Sequence, residues 1–175
     1  MLHRIGKGPK SAGPRGVVAR LSECHERIRR HVAIAIRLAE DSAAPGEQVT
    51  AAAEQCIGYF HRSLPHHSAD EDDTIAPRLP VELAPTLRLI AEQHVAIHAL
   101  LDLLVPLWQE VADRPDRREA RRTQLAALAT ELETQFAEHL AIEESAVFDA
   151  IQRLPASVQD VIIKEMIGRR TFPHP

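Results

Sequence analysis

Aromatic side chains are scarce in this sequence, at 3% of 175 residues, whereas hydrophobic residues make up 45%. Because β-rich proteins depend on aromatic and β-branched residues, this composition favours an all-α fold with an aliphatic core. The length suits one compact domain. A net charge of −4 with mixed signs gives no reason to expect nucleic acid as a partner.

Cysteines, long apolar runs and glycine-rich loops are also few or absent. Cys24 and Cys56 have neither the paired spacing of a zinc site nor the pattern of a disulfide scaffold. No apolar run suggests a membrane span, and the basic, Gly- and Pro-rich residues 1–16 lack the apolar core of a signal peptide. We therefore expect reduced thiols, a disordered tail over 1–16 and a cytoplasmic protein. No nucleotide-binding glycine loop or G-x-S-x-G motif is present.

Apolar residues recur at helical spacing in four long stretches, separated by segments that contain proline or glycine. The predicted helices cover about 17–43, 47–76, 85–112 and a stretch from the loop 113–115 to about 154. Pro65 should kink the second helix, and a short fifth helix is expected from about Ser157. Long amphipathic helices with short connections predict an up-down-up-down four-helix bundle over 17–170.

Two of these helices carry a histidine followed four residues later by a glutamate. Side chains at this spacing lie on the same helix face. His67 and Glu71 therefore continue the apolar stripe of the second helix, and His139 and Glu143 continue that of the fourth. The segments HHSADEDDTIAP and EHLAIEESAVFDA share the pattern H-x-x-x-E-(D/E), which is an internal repeat.

The other long helices also direct histidines towards the interior. His25 is in register with the apolar stripe of the first helix, and His94 with that of the third, where His98 follows on nearly the same face. His66 and Asp70 form a pair parallel to the inward one, and we expect this pair to face the solvent.

This combination predicts a metal site. An ionised carboxylate in an aliphatic core costs several kcal/mol without a partner, so two of them call for a cation. Imidazole nitrogens suit iron, zinc and copper, and helix bundles build two-metal sites from His and Glu on facing helices. A lone histidine on an apolar stripe is more often a core residue, but the whole set favours metal binding. The predicted ligands are His25, His67, Glu71, His94, His98, His139 and Glu143.

At these residues the sequence resembles the hemerythrin-like family, which includes the HHE cation-binding domains. The matching pieces are HERI, YFHRSLPHHSADEDDTIAPRL, EQHVAIHALL and EHLAIEESAVFDAI, and the resemblance covers nearly the whole chain beyond the tail. It implies a four-helix bundle around an oxo- or hydroxo-bridged non-haem di-iron centre, although zinc would also accept these ligands. It divides the histidines between two irons: His25 and His67 on one, and His94, His98 and His139 on the other.

The resemblance leaves two candidates for the carboxylate that would bridge the irons together with Glu71. The oxygen carriers place it five residues after its histidine, which would select Glu144, and many bacterial relatives place it four after, which would select Glu143. We prefer Glu143 because it shares the apolar stripe of His139. Many relatives lack a histidine at His98, so its presence favours the version of the site with five histidines.

The function implied by the resemblance is a di-iron protein that binds or senses O2 or NO, or that handles iron. The alternative is a di-iron enzyme that acts on peroxide or oxygen or repairs iron centres. Such an enzyme would need proton donors, for which Tyr59, His61 and Cys24 are candidates. A third interpretation is a helical adaptor whose histidines are structural.

Overall fold

A computed structural model describes residues 16–171, which contain helices and turns and no strand. The prediction of an all-α fold is therefore confirmed. The predicted tail over 1–16 lies, except for Gly16, outside the described residues. The α-helices are α1 (Val17–Glu40), α2 (Gly46–Arg62), α3 (Leu64–Ala69), α4 (Ala84–Asp113), α5 (Arg118–Ile142), α6 (Phe148–Arg153) and α7 (Ala156–Thr171).

The second and fourth predicted helices are each interrupted. The second is divided into α2, α3 and a π-helical segment, Asp70–Ile75. Pro65 lies in the first turn of α3, where the missing proline N–H costs no hydrogen bond. The fourth consists of α5, a second π-helical segment, Glu143–Val147, and α6. Four long helical runs result, with the short α7 after them.

These runs pack side by side and enclose the core. Helix α1 contacts α2 and α5, and α4 contacts the same two helices. The main apolar cluster is centred on Trp108 and Phe60, whose rings stack at 5.5 Å between centroids. A second, smaller cluster includes Leu21, Ile75 and Ile90. Burial of this aliphatic surface supplies the main driving force for folding.

Helix α4 with its preceding turn, Val81–Asp113, is the one helix among residues 16–171 that is long and apolar enough to cross a membrane by length and composition. This helix packs between α2 and α5 and buries Leu104 and Trp108 completely. Its apolar character therefore reflects its place in the core.

Helix α7 docks on the same chain. It contributes the buried side chains of Ile162 and Met166 to the smaller apolar cluster. The prediction that Asp70 faces the solvent is wrong, because Asp70 is 0% exposed. Arg169 and Arg170 of α7 cover its carboxylate, and sequence periodicity within the second helix contains no information about that distant helix.

Candidate metal centre

A layer of buried polar side chains separates the two apolar clusters. On each long run, the polar residues lie between members of the two clusters along the chain; His25, for example, lies between Leu21 and Ile28. Every run contributes a histidine, and the two π-helical segments each add a glutamate. The six residues are all buried: His25, His67, Glu71, His94, His139 and Glu143.

Each glutamate of the layer lies between two histidines from different runs. The Glu71 carboxylate places Oε1 at 3.2 Å from Nε2 of His67 and Oε2 at 3.2 Å from Nε2 of His94. His67 is the residue four positions earlier in the same run, as the helical spacing predicts. His94 reaches Glu71 from the neighbouring helix α4.

Glu143 repeats this arrangement on the other side of the layer. Its Oε2 lies 3.0 Å from Nε2 of His25, and its Oε1 lies 3.4 Å from Nε2 of His139. The ligand-type atoms consequently fall into two groups in which all atoms lie within 4.8 Å of one another, and both glutamates belong to both groups. One group is His25, His67, Glu71 and Glu143, and the other is Glu71, His94, His139 and Glu143.

These atoms are close together, but several have no hydrogen-bond partner. The unpartnered atoms include Nε2 of His25, His67 and His94 and both carboxylate oxygens of Glu71. Their N···O distances are short, yet the directions required for hydrogen bonds are not met. Since a buried polar atom without a partner costs about 1–3 kcal/mol, such a cluster calls for an ion. Nitrogen and carboxylate donors of this kind fit a transition-metal pair.

The π-helical segments shape the layer. The carbonyl of Glu71 accepts a hydrogen bond from the N–H of Ala76, and that of Glu143 accepts one from Phe148, so both bonds span five residues. Single π turns within α-helices occur frequently at functional sites. Helical spacing does not predict these turns; the repeated H-x-x-x-E-(D/E) pattern coincides with both of them and is the sequence signal that they share.

Three of the four outer ring nitrogens have a side-chain partner, and Nδ1 of His67 has none. In three of the four histidines, Nδ1 lies against a side-chain oxygen of another run. Such contacts fix the ring orientation and direct Nε2 towards a metal. The pairs are His25 with Glu144 (2.8 Å), His94 with Asp72 (3.0 Å) and His139 with Gln93 (3.2 Å).

The two adjacent glutamates of the fourth run have different surroundings. Glu143 is buried in both groups, whereas the Glu144 side chain is 37% exposed. Glu144 accepts hydrogen bonds from Nδ1 of His25 and from Arg29, at 2.8 and 2.7 Å. The geometry therefore supports Glu143 as the carboxylate shared by both groups. Glu144 instead contacts Nδ1 of His25 and orients that ring.

Protonation in the metal-free layer is uneven. Burial acts to lower the pKa of His25 and His94, but the carboxylates that lie close to each ring raise both pKa values, to about 10. Burial lowers the pKa of His67 to about 3 and that of His139 to about 4. Without metal, His25 and His94 therefore hold protons, and His67 and His139 are neutral.

His98, the seventh predicted ligand, lies outside both groups. It is half-buried and lines a separate cavity of about 230 Å³ with His61 and Asp102. The hydroxyl of Tyr59 donates to the backbone carbonyl of Cys24 at 3.4 Å, and neither side chain is among the grouped ligand atoms. Cys24 and the second cysteine of the chain, Cys56, are both buried and form no disulfide.

Comparison with known proteins identifies the family of this fold and site. The sequence matches the model of the Hemerythrin HHE cation binding domain over residues 16–151. No curated protein matches the chain. The matched range contains all six residues of the buried layer and ends before α7 begins. The protein therefore belongs to the hemerythrin family of HHE cation-binding domains.

Proposed function

We propose that the protein binds two iron ions in the buried layer of an up-down-up-down four-helix bundle. The observation that carries this proposal is the sharing of both carboxylates by both groups of ligand atoms. His98 is not among the proposed ligands, because it lies outside the groups. His25 and His67 would hold one ion, His94 and His139 the other, and Glu71 and Glu143 both.

The residues of the layer would hold the ions. The contacts of Glu144, Asp72 and Gln93 with the outer ring nitrogens would keep three of the histidines in place. A bound iron pair supplies reversible redox chemistry and a coordination position for a small ligand. The metal would also replace the protons that His25 and His94 hold, because a ligating imidazole must be deprotonated. Zinc accepts the same donors. The family description supports a bound cation, and iron loading of the purified chain tests the identity of the metal.

A small cavity beside the layer indicates the size of the ligand. Its volume is about 20 Å³, enough for about one water-sized molecule. Its walls combine the two shared carboxylates with apolar side chains such as Ile75, Leu87 and Ile90. A space of this size favours a diatomic molecule over an organic substrate. We therefore propose that the protein binds or senses O2 or NO. We also propose that it is cytoplasmic and that its two buried cysteines are reduced.

One observation favours the alternative, an enzyme that acts on peroxide or oxygen. Asp72 lines the same cavity, lies against Nδ1 of His94 and has a side chain that is 40% exposed. It can therefore carry a proton between solvent and the cavity. This role was not anticipated from the sequence, where Tyr59, His61 and Cys24 were the candidates.

Anaerobic loading with ferrous iron, followed by exposure to NO or O2, tests this function. We expect an optical change that reverses when the gas is removed, and its loss in His67→Ala. His61→Ala is the matched control, because His61 is exposed and outside the layer. If the gas leaves the spectrum of the loaded protein unchanged, gas binding is wrong. Steady peroxide consumption that falls in Asp72→Asn would select the enzyme.

A further inference from the structure

Helix α7 lies beyond the range matched by the family, yet it packs on the segment that carries Glu71. Its residues Ile162 and Met166 share an apolar cluster with Ile75, the last residue of the π-helical segment Asp70–Ile75. All the proposed ligands lie within the family-matched range, residues 16–151. Helix α7 lies outside that range and contacts residues next to one ligand, Glu71.

Two arginines of α7 bind the residue that precedes Glu71. Asp70 is completely buried, and its two oxygens form ion pairs with different guanidinium groups. Nε of Arg169 lies 3.1 Å from Oδ1, and Nη1 of Arg170 lies 2.7 Å from Oδ2. Arg169 also donates from Nη2 to Oγ1 of Thr74 at 2.9 Å. The arginines thus hold the π-helical turn on both sides of Glu71.

A further ion pair joins the two elements later in the chain. Arg78, which follows the π-helical segment, donates to Glu165 of α7 at 2.7 Å and also to the backbone carbonyl of Thr74. The contacts of α7 therefore reach from Asp70 to Arg78, on both sides of the turn that directs Glu71 inward. π-helical turns are rare and occur mostly as single turns within α-helices, and the contacts with α7 supply support for this one from outside its own helix.

We propose that Arg169 and Arg170 are positioning residues for the metal centre: through Asp70 they fix the turn that presents Glu71, and so they set how tightly the ions are held. The inference rests on the proposed function, since it requires Glu71 to be a ligand. Glu71 belongs to both groups, so displacement of its turn weakens both ions. By linkage, metal binding stabilises the docking of α7 to the same extent.

The experiment uses the full chain with Co²⁺ as the probe. The variant Arg169→Ala/Arg170→Ala is compared with Arg114→Ala/Arg153→Ala, which removes the same charge from side chains that are 62% and 81% exposed. We expect Co²⁺ to leave the first variant about 10–100 times faster in the presence of EDTA. We also expect changed cobalt d–d bands and, in metal-free protein, faster amide hydrogen exchange over 70–75. The control should match the wild type.

Conservative variants separate positioning from general stability. Arg170 contacts Asp70 through one nitrogen, so Arg170→Lys should restore slow release, whereas Arg170→Ala should not. The comparison of Arg170→Ala with Arg170→Lys still tests the inference if the double variant does not fold. Release at the wild-type rate in Arg170→Ala and in the double variant would overturn the inference while leaving the proposed function intact. A wild-type chain that takes up no Co²⁺ would refute the proposed function and the inference with it, whereas unchanged exchange over 70–75 in the double variant of a chain that does bind Co²⁺ would overturn the inference alone.

Discussion

Glu143 and Glu144 are adjacent carboxylates with different positions, and replacing each by glutamine tests the layout of the site. Glu143 lies in both ligand groups, whereas Glu144 contacts the outer nitrogen of His25. Glu143→Gln should weaken the binding of both ions. Glu144→Gln should weaken mainly the ion held by His25, because only that ring contacts Glu144 and a neutral amide oxygen is a weaker acceptor for its Nδ1 than a carboxylate.

The expected size follows from binding linkage. With free ferrous iron at about 100 times Kd, each ion stabilises the fold by about 2.7 kcal/mol, so two ions contribute about 5.4 kcal/mol. For a chain of this length that corresponds to a rise in Tm of about 10–20 °C. Mutation of a residue that orients a metal ligand typically weakens metal binding about 10–100-fold. The affected ion in Glu144→Gln then contributes about 0.4–1.4 kcal/mol at the same iron concentration.

Anaerobic scanning calorimetry measures these differences directly. The Tm of each chain is recorded without metal and with ferrous iron, and the difference is compared with the wild type. We expect Glu144→Gln to keep more than half of the wild-type stabilisation and Glu143→Gln to keep little of it. The assignment of the shared carboxylate would be refuted if Glu143→Gln retained the full rise in Tm. It would also be refuted if Glu144→Gln lost as much of that rise as Glu143→Gln does.

Three further predictions concern other parts of the molecule. His98→Ala should still bind two metal ions per chain, as measured by metal analysis, because His98 lies outside both groups; loss of one ion would contradict this. Trp108 is fully buried and lies about 21 Å along α4 from His94. Trp108→Ala should therefore lower the free energy of unfolding by about 3–5 kcal/mol in denaturant titrations, without changing metal content in the folded protein. Because the pKa values of His25 and His94 are raised to about 10, both are protonated at neutral pH in the metal-free chain and metal binding should release protons. Calorimetry in buffers of different ionisation enthalpy would detect this release, and a buffer-independent heat would contradict it.

The parts of the fold and site that the sequence predicts are those governed by local periodicity. Helical spacing identifies the four long runs and places His25, His67, His94 and His139 on inward faces. The same spacing directs a glutamate inward on two of them. Each assignment depends on residues within one helix, so tertiary contacts are not needed to make it.

The remaining features depend on contacts between distant segments. Asp70 is buried because α7 covers it, about 99 positions later in the chain. Asp72 and Glu144 reach histidines on other helices, and no spacing within one helix reports such a contact. The π-helical turns arise in this packed context, and His98 lies away from the groups although its helical register with His94 suggests otherwise.

The central claim is that one chain holds two metal ions through shared carboxylates, and an anaerobic titration with ferrous iron tests it most directly. Iron is added to the metal-free wild-type chain and to Glu71→Gln/Glu143→Gln while bound metal is measured. The predicted end point is about two equivalents for the wild type, one for each ligand group, and no tight binding in the double variant. A folded wild-type chain that binds no iron, or a double variant that still binds two equivalents, would contradict the claim.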